Sequence, residues 1–351
     1  MSRATIDHPY RSLPDRAFWR RSVSDRLPEE IGDLYLKKFE ITPDMRISAA
    51  GSCFAQHISA RLRERGFHYL DAEPRPVILP RSRAQEFGYE IYSARFGNIY
   101  TARQLLQLVL RARGRFVPEE EAWETNGRWY DPFRPTVEPN GFGSREELIA
   151  CRDTHLRRVA WMLHRTDLLI FTLGLTEAWV SKLDGAVYPI CPGTHAGAFD
   201  PDRYEFKNFT HAEILKDMRT FIQIATRIRP TMKFLLTVSP VSLVATAADD
   251  HVMVATTYSK SVLRGVAGEL RDTFECVDYF PSYEIITAPA MRGAFYEDDM
   301  RSVTRDGVDF VMRQFFDAHP PPANIEPRAE AEGIQHDVVC DEIILEESAA
   351  Q

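Results

Sequence analysis

The residues best placed by type and spacing to do chemistry lie in Gly51-Ser52-Cys53-Phe54-Ala55. The short run Met45-Arg46-Ile47-Ser48-Ala49-Ala50 precedes them and reads as a strand. Phe54, Ile58 and Leu62 follow every four residues, as on one helix face. Ser52 therefore stands at a strand-to-helix junction, where free backbone N–H groups and the helix dipole favour negative charge. A hydroxyl there can be a nucleophile, with nearby amides stabilising an oxyanion. Serine at that position is also a common helix cap. Cys53 comes next, and His57 is four residues on, along the same face. A helix start lowers a thiol pKa, so a Cys53–His57 dyad is geometrically open. The alternative is a buried cysteine beside a structural histidine.

The elements that must position these groups alternate in type. Residues 1–40 are rich in aromatic, basic and proline residues and read as an arm lying on the domain. A helix is expected from Thr101 to Gly114 and another from Ser144 to about His164, with Ser144 as its cap. Asp167 to Leu173 and Lys233 to Ser239 are continuous apolar runs, as in strands buried on both faces of a parallel sheet. Helices are expected over about 210–229, 251–270 and 306–316, with a short strand at Cys276-Val277-Asp278-Tyr279. Residues 115–143 read as a surface excursion and 183–210 as a long loop. This alternation predicts a three-layer α/β/α domain around a parallel sheet, over residues 41–318. An acidic tail led by Pro320-Pro321-Pro322, expected to be mobile, occupies 319–351, and its apolar end, Val338 to Leu345, suits docking.

In an open parallel sheet, ligands bind beyond the carboxyl ends of the strands. That rule selects Gly51 to Ala55, Gly174-Leu175-Thr176-Glu177, Pro240 to His251, and Asp298-Asp299-Met300-Arg301-Ser302 as one rim. His251, His195 and His57 are candidate bases there, and each also suits a structural role. Lys260 is a further candidate, since a desolvated lysine can act as a base; otherwise it is a solvated helical charge. Glu177 could be an acid, could hold Thr176, or could serve as a helix N-terminal charge.

The chain has 351 residues and a formal net charge of −8. The segment 319–351 holds eight acids and one base, a net of −7, so residues 1–318 are close to neutral at −1. No basic stripe interleaved with aromatics is present, which gives nucleic-acid binding no support. Hydrophobic residues at 44% and charged residues at 27% are ordinary for a globular chain. No run reaches the roughly 18 apolar residues of a membrane span, and the N-terminus lacks a signal-peptide core. Five scattered cysteines without a CxxC pair argue against structural zinc and suit free thiols in a cytoplasmic setting. No nucleotide or zinc-protease fingerprint occurs, so neither a cofactor nor a metal is expected.

Gly51-Ser52-Cys53-Phe54-Ala55 resembles the signature of the GSCFA family of bacterial proteins. Further stretches are similar to the same family: Phe18 to Val23, Ser93 to Thr101, Phe171 to Trp179, Leu236 to Val241 and Thr257 to Lys260. The similarity runs over roughly 8–318. The family is grouped with the SGNH, or GDSL-like, hydrolases. The resemblance implies a flavodoxin-like α/β/α fold, a Ser52 nucleophile, and esterase or acyltransferase chemistry on an ester or an acylated polar substrate such as a glycan. It aligns Gly97, with Asn98 beside it, and Gly174 with Thr176, on the oxyanion and binding positions. It also aligns Asp299-Met300-Arg301-Ser302 on an Asp-x-x-His block, so Ser302 stands where the base histidine belongs. Asp299 alone is too acidic to be an effective base, which points to a group from elsewhere, His251 first, oriented by Asp299. Two alternatives remain: a binding or scaffold module on a degenerate hydrolase fold, and acyl transfer through Cys53.

Overall fold

The computed structural model describes residues 8–322, 341 and 344–345. Met1 to Asp7 and the rest of the expected acidic tail lie outside the described residues. From residue 8 to about 40 the chain runs through short turns of helix, and Ile31 and Tyr35 are buried.

Strand β1 (Ile47–Gly51) leads into helix α1 (Phe54–Glu64). Helix α2 (Ala102–Ala112) follows, capped by Thr101, whose hydroxyl accepts the Gln104 N–H. A short hairpin, β2 (Trp123–Thr125) and β3 (Arg128–Tyr130), lies in the expected excursion. Helix α3 (Arg145–Arg165) begins at Ser144, whose hydroxyl accepts the Glu147 N–H, and leads into β4 (Leu168–Leu173). Strands β5 (Glu177–Ser181), β6 (Val187–Tyr188) and β7 (Tyr204–Asn208) form a small antiparallel sheet in the order β6-β5-β7. Part of the segment expected as a long loop is therefore paired. Helix α4 (His211–Ile228), β8 (Lys233–Val238), α5 (Val252–Thr273), β9 (Val277–Tyr279), α6 (Ser282–Thr287) and α7 (Arg305–Ala318) complete the chain.

The central sheet is parallel, four-stranded, and ordered β1-β4-β8-β9. Alternate residues of each strand feed opposite faces. Ala50, Leu169, Phe171, Leu173, Phe234 and Leu236 pack with helices α2, α3, α4 and α5. Ile47, Ala49, Leu168, Ile170 and Leu235 pack with α1, α6 and α7 and with Ile31 and Tyr35. These are the three layers of an α/β/α domain. Beside β1 the chain at 68–72 adds an irregular edge: Ile47 N–H donates to the His68 carbonyl at 2.9 Å, and Leu70 N–H to the Ile47 carbonyl at 2.7 Å. Among the described residues no helix is long and apolar enough to cross a membrane.

His319 is buried where α7 ends, with its Nε2 3.2 Å from the Tyr35 hydroxyl and its Nδ1 accepting the Ile41 N–H. Burial, aided by the Lys37 charge, pushes its pKa down from 6.5 to about 4. A histidine kept neutral in the fold but free to charge when unfolded binds its proton mainly in the unfolded state. Its share of stability is therefore present above pH 6.5 and lost as pH falls toward 4. Urea midpoints of wild type should fall across this window. In His319→Gln the slope should be shallower, by an amount on the order of 2 kcal/mol across the window. An unchanged slope would mean that His319 is not the titrating group.

Candidate active site

Ser52 lies between β1 and α1 at the carboxyl end of the sheet. Gly51 has φ +141°, and a Cβ there would sit 2.5 Å from the Thr172 carbonyl oxygen. Only glycine lets β1 end this close to β4. The Ser52 N–H donates to that same Thr172 carbonyl at 3.2 Å, and the Ser52 carbonyl accepts from Ala55 N–H and from the Tyr92 hydroxyl. The cap residue of α1 is Cys53, and no side chain caps this helix. Ser52 Oγ is thus not used for capping, the ordinary role of a serine here. The residue is 2% exposed, and Oγ has no hydrogen-bond partner among the described residues.

Gly97 and Asn98 lie alongside. Ile99 N–H donates to the Gly51 carbonyl at 2.9 Å, which fixes the segment against the end of β1. Gly97 takes φ +67° to make the approach. Asn98 is buried, and its Oδ1 accepts from the Tyr92 hydroxyl and from Gln56 Nε2 at 3.4 Å. That orients Nδ2 outward, where it donates to Asp341 Oδ2 at 2.9 Å. The Asn98 backbone N–H also bonds this carboxylate, and Thr136 Oγ1 donates to Oδ1 at 2.8 Å. Burial pushes the Asp341 carboxyl up, with Asn98, Thr136 and the nearby His195 pulling it back. Burial pushes His195 down, against Asp341 and a hydrogen bond to the Pro135 backbone. Its ring stands edge-on to Tyr130 at 5.4 Å, and its Nε2 is buried with no partner among the described residues.

On the β4 side stands Gly174. A Cβ on it would lie 2.9 Å from Ser52 Cβ. The N–H groups of Gly174 and Leu175 both donate to the Tyr100 carbonyl, at 3.1 and 2.9 Å. The Gly174 carbonyl accepts from Lys260 Nζ at 2.7 Å. Lys260 is 1% exposed, so it is not the solvated helical charge that its position on a long helix allowed. Thr176 is fully buried; its N–H donates to Ser259 Oγ at 3.1 Å, and its hydroxyl has no partner among the described residues.

Other expected residues stand apart. His251 is exposed and caps α5, its Nδ1 accepting the Met253 N–H at 3.2 Å. Asp299 Oδ1 accepts the N–H groups of Arg301 and Ser302 at 2.8 Å each, and its Oδ2 accepts the Ser302 hydroxyl at 2.6 Å. Slight burial would raise Asp299, but these donors outweigh it and hold the carboxyl below its ordinary range. The expected Asp299–His251 relay is therefore not formed, because each side chain is satisfied within its own loop. Glu177 binds the Thr246 hydroxyl through both oxygens at 2.9 Å; burial pushes it up, and Asp250 adds to this. Cys53 is buried, and His57 is edge-on to Phe54 at 5.6 Å.

Sequence reasoning missed a buried ionic layer next to this site. His155 Nδ1 lies 2.7 Å from Glu73 Oε2, and His155 Nε2 has no partner among the described residues. Burial and the Arg134 charge push His155 down, so it is neutral near pH 7. Arg134 Nε donates to Asp131 Oδ2 at 2.9 Å, with both side chains almost wholly buried. A small cavity between Asn98, Gln107, Arg111, Arg134 and His155 joins this layer to the site. Nothing local in the sequence signals it, since Glu73 and His155 are 82 residues apart. No group of three or more His, Cys, Asp or Glu side chains among the described residues could hold a metal ion.

Residues 46–315 match the model of the GSCFA family. The chain belongs to the GSCFA family. No protein of curated function matches it. Solved structures similar to this GSCFA protein include a Clostridium thermocellum family 3 carbohydrate esterase, at 12% identity and TM-score 0.28, covering 78% of this chain and 94% of that one. Another is a serine-to-alanine mutant of an acetyl esterase with acetate ion, at 13% identity and TM-score 0.28, covering 77% and 93%. A Streptococcus pneumonia protein provisionally described as a platelet activating factor shows 14% identity and TM-score 0.28, covering 48% of this chain. The GSCFA chain spans 65% of that protein, just under two thirds. At these scores the likenesses say nothing of activity.

The ionic layer anchors the excursion that carries Thr136. Asp131→Ala should leave the buried Arg134 charge uncompensated and cost about 3–5 kcal/mol in denaturant unfolding. A loss below about 1 kcal/mol would mean that water or another carboxylate replaces Asp131.

Proposed function

We propose that this GSCFA protein is a serine acyl hydrolase or O-acyltransferase, with Ser52 as nucleophile, acting on an ester or on an acylated polar substrate such as a glycan. The observation that carries this reading is the state of Ser52 Oγ: at a helix start, outside the cap, and without a partner among the described residues. A buried hydroxyl left unsatisfied costs about 1–3 kcal/mol, a cost that a purely structural serine at this position avoids by capping. Gly97, Asn98 and Thr176 are the candidate oxyanion and binding groups. Asp299 and His251 are engaged within their own loops, so the base role passes to Lys260. It is separated from Ser52 by the single residue Gly174 and is fully buried. Serine–lysine pairings are a known variant of triad logic. In the acylation step Lys260 enters as the free amine; Ser52 Oγ forms the new ester bond, the bond to the substrate's alkoxy group breaks, and the serine proton passes to the Lys260 amine and then to the leaving oxygen.

A second reading, a binding module on a degenerate hydrolase fold, draws on Ser302 standing at the expected histidine position. Hydrolysis of short-chain nitrophenyl esters separates the two readings. Ser52→Ala should abolish turnover, and Lys260→Met should lower it on the order of 10²-fold or more with the far-UV circular dichroism unchanged. His251→Gln should stay within about threefold of wild type, since its ring only caps a helix. Equal rates for wild type and Ser52→Ala would remove Ser52 from the chemistry. Labelling of Cys53 by iodoacetamide with loss of turnover would move the nucleophile to the thiol.

A further inference from the structure

The polar groups around Asn98 face a partner that the hydrolase site does not need. Asp341 comes from the far end of the chain, 243 residues from Asn98, yet its carboxylate is almost wholly buried. Both of its oxygens are used: Oδ2 by Asn98 Nδ2 at 2.9 Å and Oδ1 by Thr136 Oγ1 at 2.8 Å, with the Asn98 backbone N–H as a third donor. Every direct partner is a donor, as a carboxylate requires. The cradle is held from behind, because the Tyr92 hydroxyl and Gln56 fix the Asn98 amide, and Tyr92 also donates to the Ser52 carbonyl. Donors fixed in this way form a site for a carboxylate whichever molecule carries it.

We infer that Asn98 and Thr136 form a carboxylate-binding site next to Ser52, and that Asp341 fills it in cis as an autoinhibitory occupant. The inference rests on the acyl-transfer reading only for its functional consequence. The ligand that competes is a small monocarboxylate, the chemical class that ester hydrolysis releases. Three facts set Asp341 apart from an ordinary surface carboxylate: it is buried, it uses both oxygens, and it lies on the binding positions rather than in a salt bridge. Ser52 is closed to solvent in the same structure. An occupant in cis competes at an effective concentration set by its tether, so a free ligand must be present at comparable concentration to displace it.

The test uses the full-length chain and acetate as probe. Wild type should bind acetate weakly by NMR titration. Asp341→Ala should bind it at least tenfold more tightly, and adding Asn98→Ala should abolish the gain. Asp341→Asn, nearly the same shape but without the charge, guards against a folding defect and should fall between the two. Fluorophosphonate labelling of Ser52 should be several-fold faster in Asp341→Ala. If neither Asp341→Ala nor Asp341→Asn binds acetate more tightly than wild type, the carboxylate site is overturned. Should acetate bind Asp341→Ala tightly while no form hydrolyses an ester, the cradle stands and the acyl-transfer reading falls. Should wild type hydrolyse esters while acetate affinity ignores residue 341, the reverse holds.

Discussion

The end of β1 can lie against β4 only because residue 51 has no side chain. Gly51 pairs with Thr172, and at φ +141° a Cβ would meet the Thr172 carbonyl oxygen at 2.5 Å, the Thr172 N at 2.7 Å and its Cβ at 2.8 Å. Two of these are backbone atoms, so no rotamer change relieves the clash. From this contact the Ser52 N–H reaches the Thr172 carbonyl, and the Gly51 carbonyl receives the Ile99 N–H. Gly97 and Asn98 thereby come to rest beside the nucleophile candidate. Gly174 repeats the requirement on the other side, lying against both Ser52 Cβ and the Tyr100 carbonyl. Two glycines thus set the spacing of the groups around Ser52.

The polar interior is treated in two different ways. Away from the rim there are closed networks: Asp278 accepts from the Tyr35 hydroxyl, the Lys38 N–H and Arg271 Nε, and Ser48 meets Thr166 at 2.7 Å. At the rim, Ser52, Thr172 and Thr176 each bury a hydroxyl with no partner among the described residues. Each costs about 1–3 kcal/mol if dry. Three such hydroxyls at the end of the sheet place part of this cost where a ligand can relieve it.

Period and punctuation made much of the framework legible. Continuous apolar runs marked β4 and β8, and the caps at Thr101 and Ser144 marked helix starts by local chemistry alone. The junction at Ser52 was legible for the same reason. What escaped depends on contacts between distant residues. On a helix, Lys260 carries no mark of burial until the Gly174 carbonyl is brought 86 residues across to accept from its Nζ. His155 gains significance only from Glu73, and Asn98 only from Asp341. His251 was legible as a rim residue, but its nearest donor is its own Met253 N–H. Local competition for a side chain is invisible to an argument from position.

Ser302 bears on how a proton can leave Ser52. Ser302 closes the loop on itself. Asp299 already accepts three donors from its own turn, and Arg301 ties that turn to the Ser242 carbonyl after β8 at 3.0 Å. These three donors hold the carboxylate in its own turn, each worth roughly 0.5–1.5 kcal/mol net and somewhat more to a charged acceptor. The loop therefore closes without a histidine. On that flank the carboxylate is engaged by its own turn. The opposite flank has the fully buried Lys260, whose carbonyl partner belongs to the residue packed on Ser52. If this chain turns over an ester, the asymmetry directs the proton toward β4 and α5, away from the loop that precedes α7.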